Sequence, residues 1–172
     1  MIDSERMRNE VIALRELAGR SNGKVTFLTS EQSDEWVAKL RLNIPCPQDT
    51  SFPRNPLNSM VLTIRVSSGY PRAKPALSLS PIPFLTNVFR DGDVCYGTWM
   101  TSDTLPKIVE RVARMVALDP AVTGDGSRRQ TAANSDAGAW FISMKNGRRF
   151  ALPTTDVSFI AVATKSIRFR NL

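Results

Sequence analysis

Prolines decide where regular structure can run in this chain. Four fall between Pro45 and Pro56 and four more between Pro71 and Pro83. Each fixes its own φ and removes a backbone donor, so neither segment continues a helix or enters the middle of a sheet. The stretches beside them carry the opposite signal. In Trp36–Ile44 the even positions are Trp, Ala, Leu, Leu and Ile, while three of the four odd ones are polar. Met60–Val66 repeats the alternation, with Met60, Leu62, Ile64 and Val66 on one side. Such alternation gives one buried and one wet face, as in an antiparallel sheet. Lys24 to Thr29 and Ala76 to Ser80 are shorter strand candidates on either side, and residues 45 to 58 are expected to stay outside any ladder.

Helical spacing brackets this sheet. Residues 3 to 19 place Met7, Val11, Leu14 and Ala18 on one face with Leu17 beside them, capped by Asp3 or Ser4 and stopped at Gly19 or Gly23. The other face carries Arg6, Arg8, Arg15 and several glutamates, for which a solvated surface is the plain reading. A second helix is expected from Leu105, capped by Asp103 or Thr104, with Pro106 in its first turn and Ile108, Val109, Val112, Met115 and Val116 on its apolar face. Asp119-Pro120 ends it, and residues 121 to 131 read as loop. A third helix spans Ala132 to Lys145, anchored by Trp140 and Phe141; Val157 to Phe169 is strand-like. The reading is one α+β domain over residues 1–172, with a core of about 3–150 and an extension from about 151.

Composition removes more functions than it suggests. The chain has no histidine and two cysteines. A Ser-His-Asp triad, a Cys-His pair, a histidine-ligated zinc and a four-thiolate site are therefore all impossible within it. Chemistry must come from a thiol, carboxylates, amides or backbone donors. A formal charge of +7 invites a nucleic-acid reading, yet the basic residues are scattered, the densest pairs being Arg128-Arg129 and Arg148-Arg149. An acidic protein partner fits that charge equally well. With neither a charged-then-apolar leader nor a membrane-length apolar run, the expected setting is reducing and cytoplasmic.

One stretch could carry chemistry. The proline-rich path leads to a turn, Arg90-Asp91-Gly92-Asp93, then to Cys95, then to the helix at Leu105. A thiol just past a glycine turn and ahead of a helix suits a nucleophile, although Cys95 between Val94 and Tyr96 suits a small core hydrophobe as well. Cys46, held between Pro45 and Pro47, reads as structural or exposed.

The order of elements, together with these residues, resembles the ubiquitin-conjugating enzyme family, most densely over residues 58 to 120. Tyr70-Pro71 followed by Pro75 is similar to that family's Tyr-Pro and Pro-Pro signature. Asn87 stands eight residues before Cys95, the spacing between the family's His-Pro-Asn asparagine and its active-site cysteine, with Gly92 in the corresponding turn. The chain also departs from the pattern. Leu85-Thr86 take the place of His-Pro, Arg72 stands where many members present an aromatic to RING-type ligases, and the loop after Cys95 is shorter. These departures and the strand-like tail look more like divergent bacterial relatives, which the resemblance links to antiviral defence.

The resemblance implies an acyltransferase with no cofactor or metal. Cys95 would accept a ubiquitin-like modifier as a thioester from an adenylating activating enzyme and pass it to a target lysine. Asn87 would serve the oxyanion or tie its loop, and Asp125, preferred over Asp119, would orient the amine. Arg6, Arg8 and Arg15 would dock the activating enzyme. The alternative is a catalytically inactive scaffold of the same fold that binds a modifier or partner, which Leu85-Thr86 favours and the intact Asn87, Gly92 and Cys95 spacing opposes.

Overall fold

The computed structural model describes residues 4–119, 122 and 133–146. Asp125, the two arginine pairs and the expected strand of the tail lie outside them. Element order is α1 (Ser4–Arg20), β1 (Val25–Gln32), β2 (Trp36–Leu42), β3 (Cys46–Pro47), β4 (Pro56–Leu57), β5 (Met60–Val66), β6 (Ala76–Ser80), α2 (Leu105–Val116) and α3 (Ser135–Asn146).

The two alternating segments pair as neighbours at the centre of the sheet. β1, β2, β5 and β6 form a four-stranded antiparallel sheet in that order. Leu40 lies opposite Leu62 and Ala38 opposite Ile64, so their apolar positions share one face. All five even positions from Trp36 to Ile44 are buried, whereas Lys39, Arg41 and Arg65 emerge on the other face. β1 runs three residues beyond the expected Thr29, because its pairing continues to Gln32 opposite Trp36. A register shift between Phe27 and Thr29 keeps that longer strand in step.

Residues 45 to 58 depart from expectation. Cys46 pairs with Leu57 and Pro47 with Pro56 in a two-residue ribbon. A ladder this short asks little of the missing proline donors, and the Pro47 carbonyl still accepts from the Phe84 N–H at 2.8 Å. Cys46 is wholly buried, and that burial pushes its thiol up to about 12.

The sheet's inner face, α1 and α2 share one buried cluster, in which Leu14, Leu17, Leu40, Leu62, Val109 and Val112 expose no surface. α1 runs through Gly19 to Arg20. Every apolar position expected on α2 is buried. α3 begins three residues later than expected, at Ser135, because Asn134 supplies its cap: the Asn134 Oδ1 accepts from the Ala137 N–H at 3.1 Å. Trp140 then packs edge-on against Phe52 and tilted against Phe84, which fixes α3 beside the segment leading to Cys95.

Candidate active site

Cys95 closes a tight hairpin that starts at Asn87. The Cys95 N–H donates to the Asn87 carbonyl at 2.8 Å, Val88 bridges Val94, and the Phe89 N–H donates to the Asp93 carbonyl at 2.8 Å. At the tip the Gly92 N–H donates to the Phe89 carbonyl, and the Asp91 carboxylate accepts from the Asp93 N–H at 3.1 Å. The expected turn-forming role of Asp91 is therefore realised.

This hairpin is fastened to the edge of the sheet. The Leu79 N–H donates to the Gly92 carbonyl and the Val94 N–H to the Leu77 carbonyl, each at 2.9 Å. Gly92 is required there: its φ is +93°, and a Cβ would sit 2.8 Å from the Leu79 carbonyl oxygen. Alternation along the fastened strand buries Val94 and Tyr96 and leaves Cys95 exposed between them. Of the two readings of this cysteine, the buried one is thus excluded by geometry.

Asn87 is half-buried, with its Nδ2 facing the Cys95 carbonyl at 3.5 Å. That is the long limit of a hydrogen bond, so the amide is near the cysteine without being firmly spent on its backbone. Leu85 is 4 % exposed and packs into the core, while the Thr86 carbonyl accepts from the Asn134 N–H at 3.2 Å. The dipeptide standing for His-Pro thus supports the hairpin by apolar packing and a tie to α3.

The exit from Cys95 is held by residues that sequence reasoning missed. The Tyr96 hydroxyl donates to the Pro75 carbonyl at 2.6 Å, and burial pushes that hydroxyl up to about 12. The Trp99 indole donates to the Pro71 carbonyl at 2.7 Å and its ring lies 5.6 Å from that of Tyr70. From α2, Arg111 donates to the carbonyls of Tyr96 and Thr98, both at 3.0 Å. No periodicity marks these side chains, because each is chosen by a loop it meets through space.

Glu10 is the clearest correction to the wet-face reading of α1. It is 5 % exposed; its Oε1 accepts from the Tyr70 hydroxyl at 2.5 Å and its Oε2 from the Leu105 N–H at 2.8 Å. The Thr104 side chain makes no cap bond, so a carboxylate from α1 caps α2 in its place. Arg6 also turns toward the loop, donating to the carbonyls of Thr101 at 3.3 Å and Asp103 at 3.2 Å and lying over the Tyr70 ring. Arg8 and Arg15 are exposed, with the Arg15 guanidinium 5.1 Å from the Phe27 ring centroid. Along α1 and residues 101–104 runs a groove of about 550 Å³, lined by Asn9, Ala13, Ser102 and Thr104 among others.

No protein-family profile matches the chain, and neither does any curated protein. Solved structures do match. A protein from Trypanosoma cruzi assigned as a ubiquitin conjugating enzyme superposes with a TM-score of 0.54 at 16 % identity, over 93 % of this chain and 96 % of that one. The fold is that of the ubiquitin-conjugating enzymes. The ubiquitin conjugating enzyme E2 UbcA1 from Agrocybe aegerita covers 66 % of this chain and 80 % of its own at 14 % identity, with a TM-score of 0.49. The assignment rests on the first overlay.

Within the conjugating-enzyme fold, the hairpin is the one place among the described residues where an exposed thiol meets an amide side chain. No group of three or more metal-binding side chains occurs among those residues, and none of their helices is long and apolar enough to cross a membrane.

Proposed function

We propose that the protein is a conjugating acyltransferase that carries a ubiquitin-like modifier as a thioester on Cys95. The observation that carries this reading is the exposed thiol at the end of a hairpin fastened to the sheet edge, with Asn87 hydrogen-bonded across from it. The Cys95 thiolate attacks the thioester that joins the modifier's C-terminal carboxyl group to an activating enzyme. A new C–S bond forms as the old one breaks, and the activating enzyme's thiolate leaves. A target lysine amine then attacks the same carbonyl, the C–N bond forms, Cys95 departs as thiolate, and the amine's proton passes to solvent. No imidazole is needed at either step, which agrees with a chain lacking histidine.

Asn87 supports the oxyanion of each tetrahedral intermediate by turning its amide from the Cys95 carbonyl to the new oxygen. Asp125 orients the incoming amine. Arg8 and Arg15 serve docking of the activating enzyme from the exposed face of α1, with Arg6 at its edge. The test is single-turnover discharge: protein charged in the presence of activating enzyme, modifier and ATP is separated and mixed with free lysine. Loss of the charged species with formation of modifier–lysine supports the reading. A protein that binds modifier but never charges contradicts it and leaves the scaffold alternative.

A further inference from the structure

The C=O and N–H of a trans peptide unit point in opposite directions. Arg111 draws the carbonyls of both Tyr96 and Thr98 toward α2. The N–H that shares a peptide unit with the Tyr96 carbonyl is that of Gly97, so it is turned away from α2. Gly97 is exposed and has φ +87°, and a Cβ there would meet only an Arg111 nitrogen at 4.0 Å. Glycine is therefore needed for the backbone conformation rather than for space. A left-handed residue in a turn can direct backbone N–H groups outward, where they are able to meet an anion. The N–H groups of Tyr96, Gly97 and Thr98 meet no acceptor among the described residues. Open backbone donors thus follow directly on an exposed thiol.

We propose that the Gly97 N–H is an oxyanion donor for acyl transfer at Cys95, and that Arg111 is the positioning residue that turns it outward. The inference rests on the transferase reading and adds a donor to the one contributed by Asn87. As the Cys95 thiolate bonds to the thioester carbon, the carbonyl electron pair moves onto oxygen, where the Gly97 N–H meets it. Collapse restores the carbonyl and expels the leaving thiolate. Asn87 must give up its contact with the Cys95 carbonyl to reach that oxygen, whereas the Gly97 N–H has no such contact to lose.

The test compares two reactions of one thiol. Acylation by the N-acetylglycyl thioester of mercaptoethanesulfonate develops an oxyanion and needs no activating enzyme; alkylation by iodoacetamide develops none. Arg111→Ala is expected to lower the acylation rate by at least about 10-fold, with alkylation within about twofold of wild type. A semisynthetic chain ligated at Cys95, with glycolate in place of Gly97, removes the N–H, while weakening the Tyr96 carbonyl as an acceptor for Arg111, and should lose about 100-fold in acylation, within the range measured for single oxyanion donors. If alkylation falls in parallel with acylation, or neither changes, the donor assignment is overturned, and the ester variant decides should Arg111→Ala fold poorly. Failure of the transferase reading looks different: wild-type Cys95 would still exchange with the small thioester, yet take up no modifier from activating enzyme and ATP.

Discussion

Glu10 is the test of how the loop after the cysteine is held. Glu10→Ala removes the acceptor for two donors, the Tyr70 hydroxyl and the Leu105 N–H, at a site 5 % exposed. Each buried donor left without an acceptor costs about 1–3 kcal/mol. The Leu105 N–H also loses its helix cap, typically worth about 1 kcal/mol and already within that range. The expected loss is therefore about 2–6 kcal/mol, a large share of the about 5–15 kcal/mol available to a domain of this kind. Tyr70→Phe alone should cost about 1.5–3 kcal/mol, since the bond it removes is to a charged group. In the Glu10→Ala background the same change should cost under about 1 kcal/mol, because the hydroxyl has already lost its acceptor and keeps only a long contact from Arg6 Nη2 at 3.5 Å. Urea unfolding of the four proteins at neutral pH gives the cycle, with an unchanged slope as the check on two-state behaviour. A loss below about 1 kcal/mol for Glu10→Ala, or additivity within about 0.5 kcal/mol, would refute the account of this network.

Three further outcomes follow from the same geometry. Cys95 should react with iodoacetamide while Cys46, buried with its thiol pushed up to about 12, stays unmodified until the protein unfolds; intact mass after a short pulse should show one adduct, and two would contradict it. Gly92→Ala should destabilise by about 1–3 kcal/mol through left-handed strain, plus the cost of moving the hairpin off the Leu79 carbonyl, and amide exchange at Leu79 and Val94 should rise; unchanged exchange would show that the hairpin is not fastened there. The Lys107 ammonium and the Met100 N–H hold the Asp103 carboxyl below its ordinary range. A depressed folded-state value contributes stability above the unfolded value of about 3.9 and loses it as pH falls toward the folded one. The acid limb of wild-type stability below about pH 4 should be steeper than that of Asp103→Asn, and parallel limbs would contradict this.

The sheet and helices were legible because each has a period. Alternation from Trp36 and from Met60 predicts the face that is buried, and the spacing from Leu105 predicts the face of α2. The turn at the hairpin tip was legible through Gly92, since a turn is a local event, whereas the ladder from Asn87 to Cys95 was not read and the spacing of those two residues entered only through the resemblance. The two-residue ribbon at Cys46 was not, because nothing in Cys46-Pro47 announces partners at Leu57 and Pro56. Glu10 was hidden for a different reason: a carboxylate on a charged helix looks like solvated surface, and its partners at Tyr70 and Leu105 are 60 and 95 residues distant. Arg111 likewise reads as a polar gap in an apolar stripe until the loop it grips is brought to it. Local chemistry points to the turn and the thiol that follows it; the residues that hold them are selected by tertiary contact.

The central claim is that the modifier is carried on Cys95, and intact mass of the protein after incubation with activating enzyme, modifier and ATP measures it most directly. The expected result is one modifier mass added to wild type and to Cys46→Ser, removed by reductant, with a reductant-resistant ester or no adduct on Cys95→Ser. An adduct of equal yield and reductant sensitivity on Cys95→Ser would contradict the account.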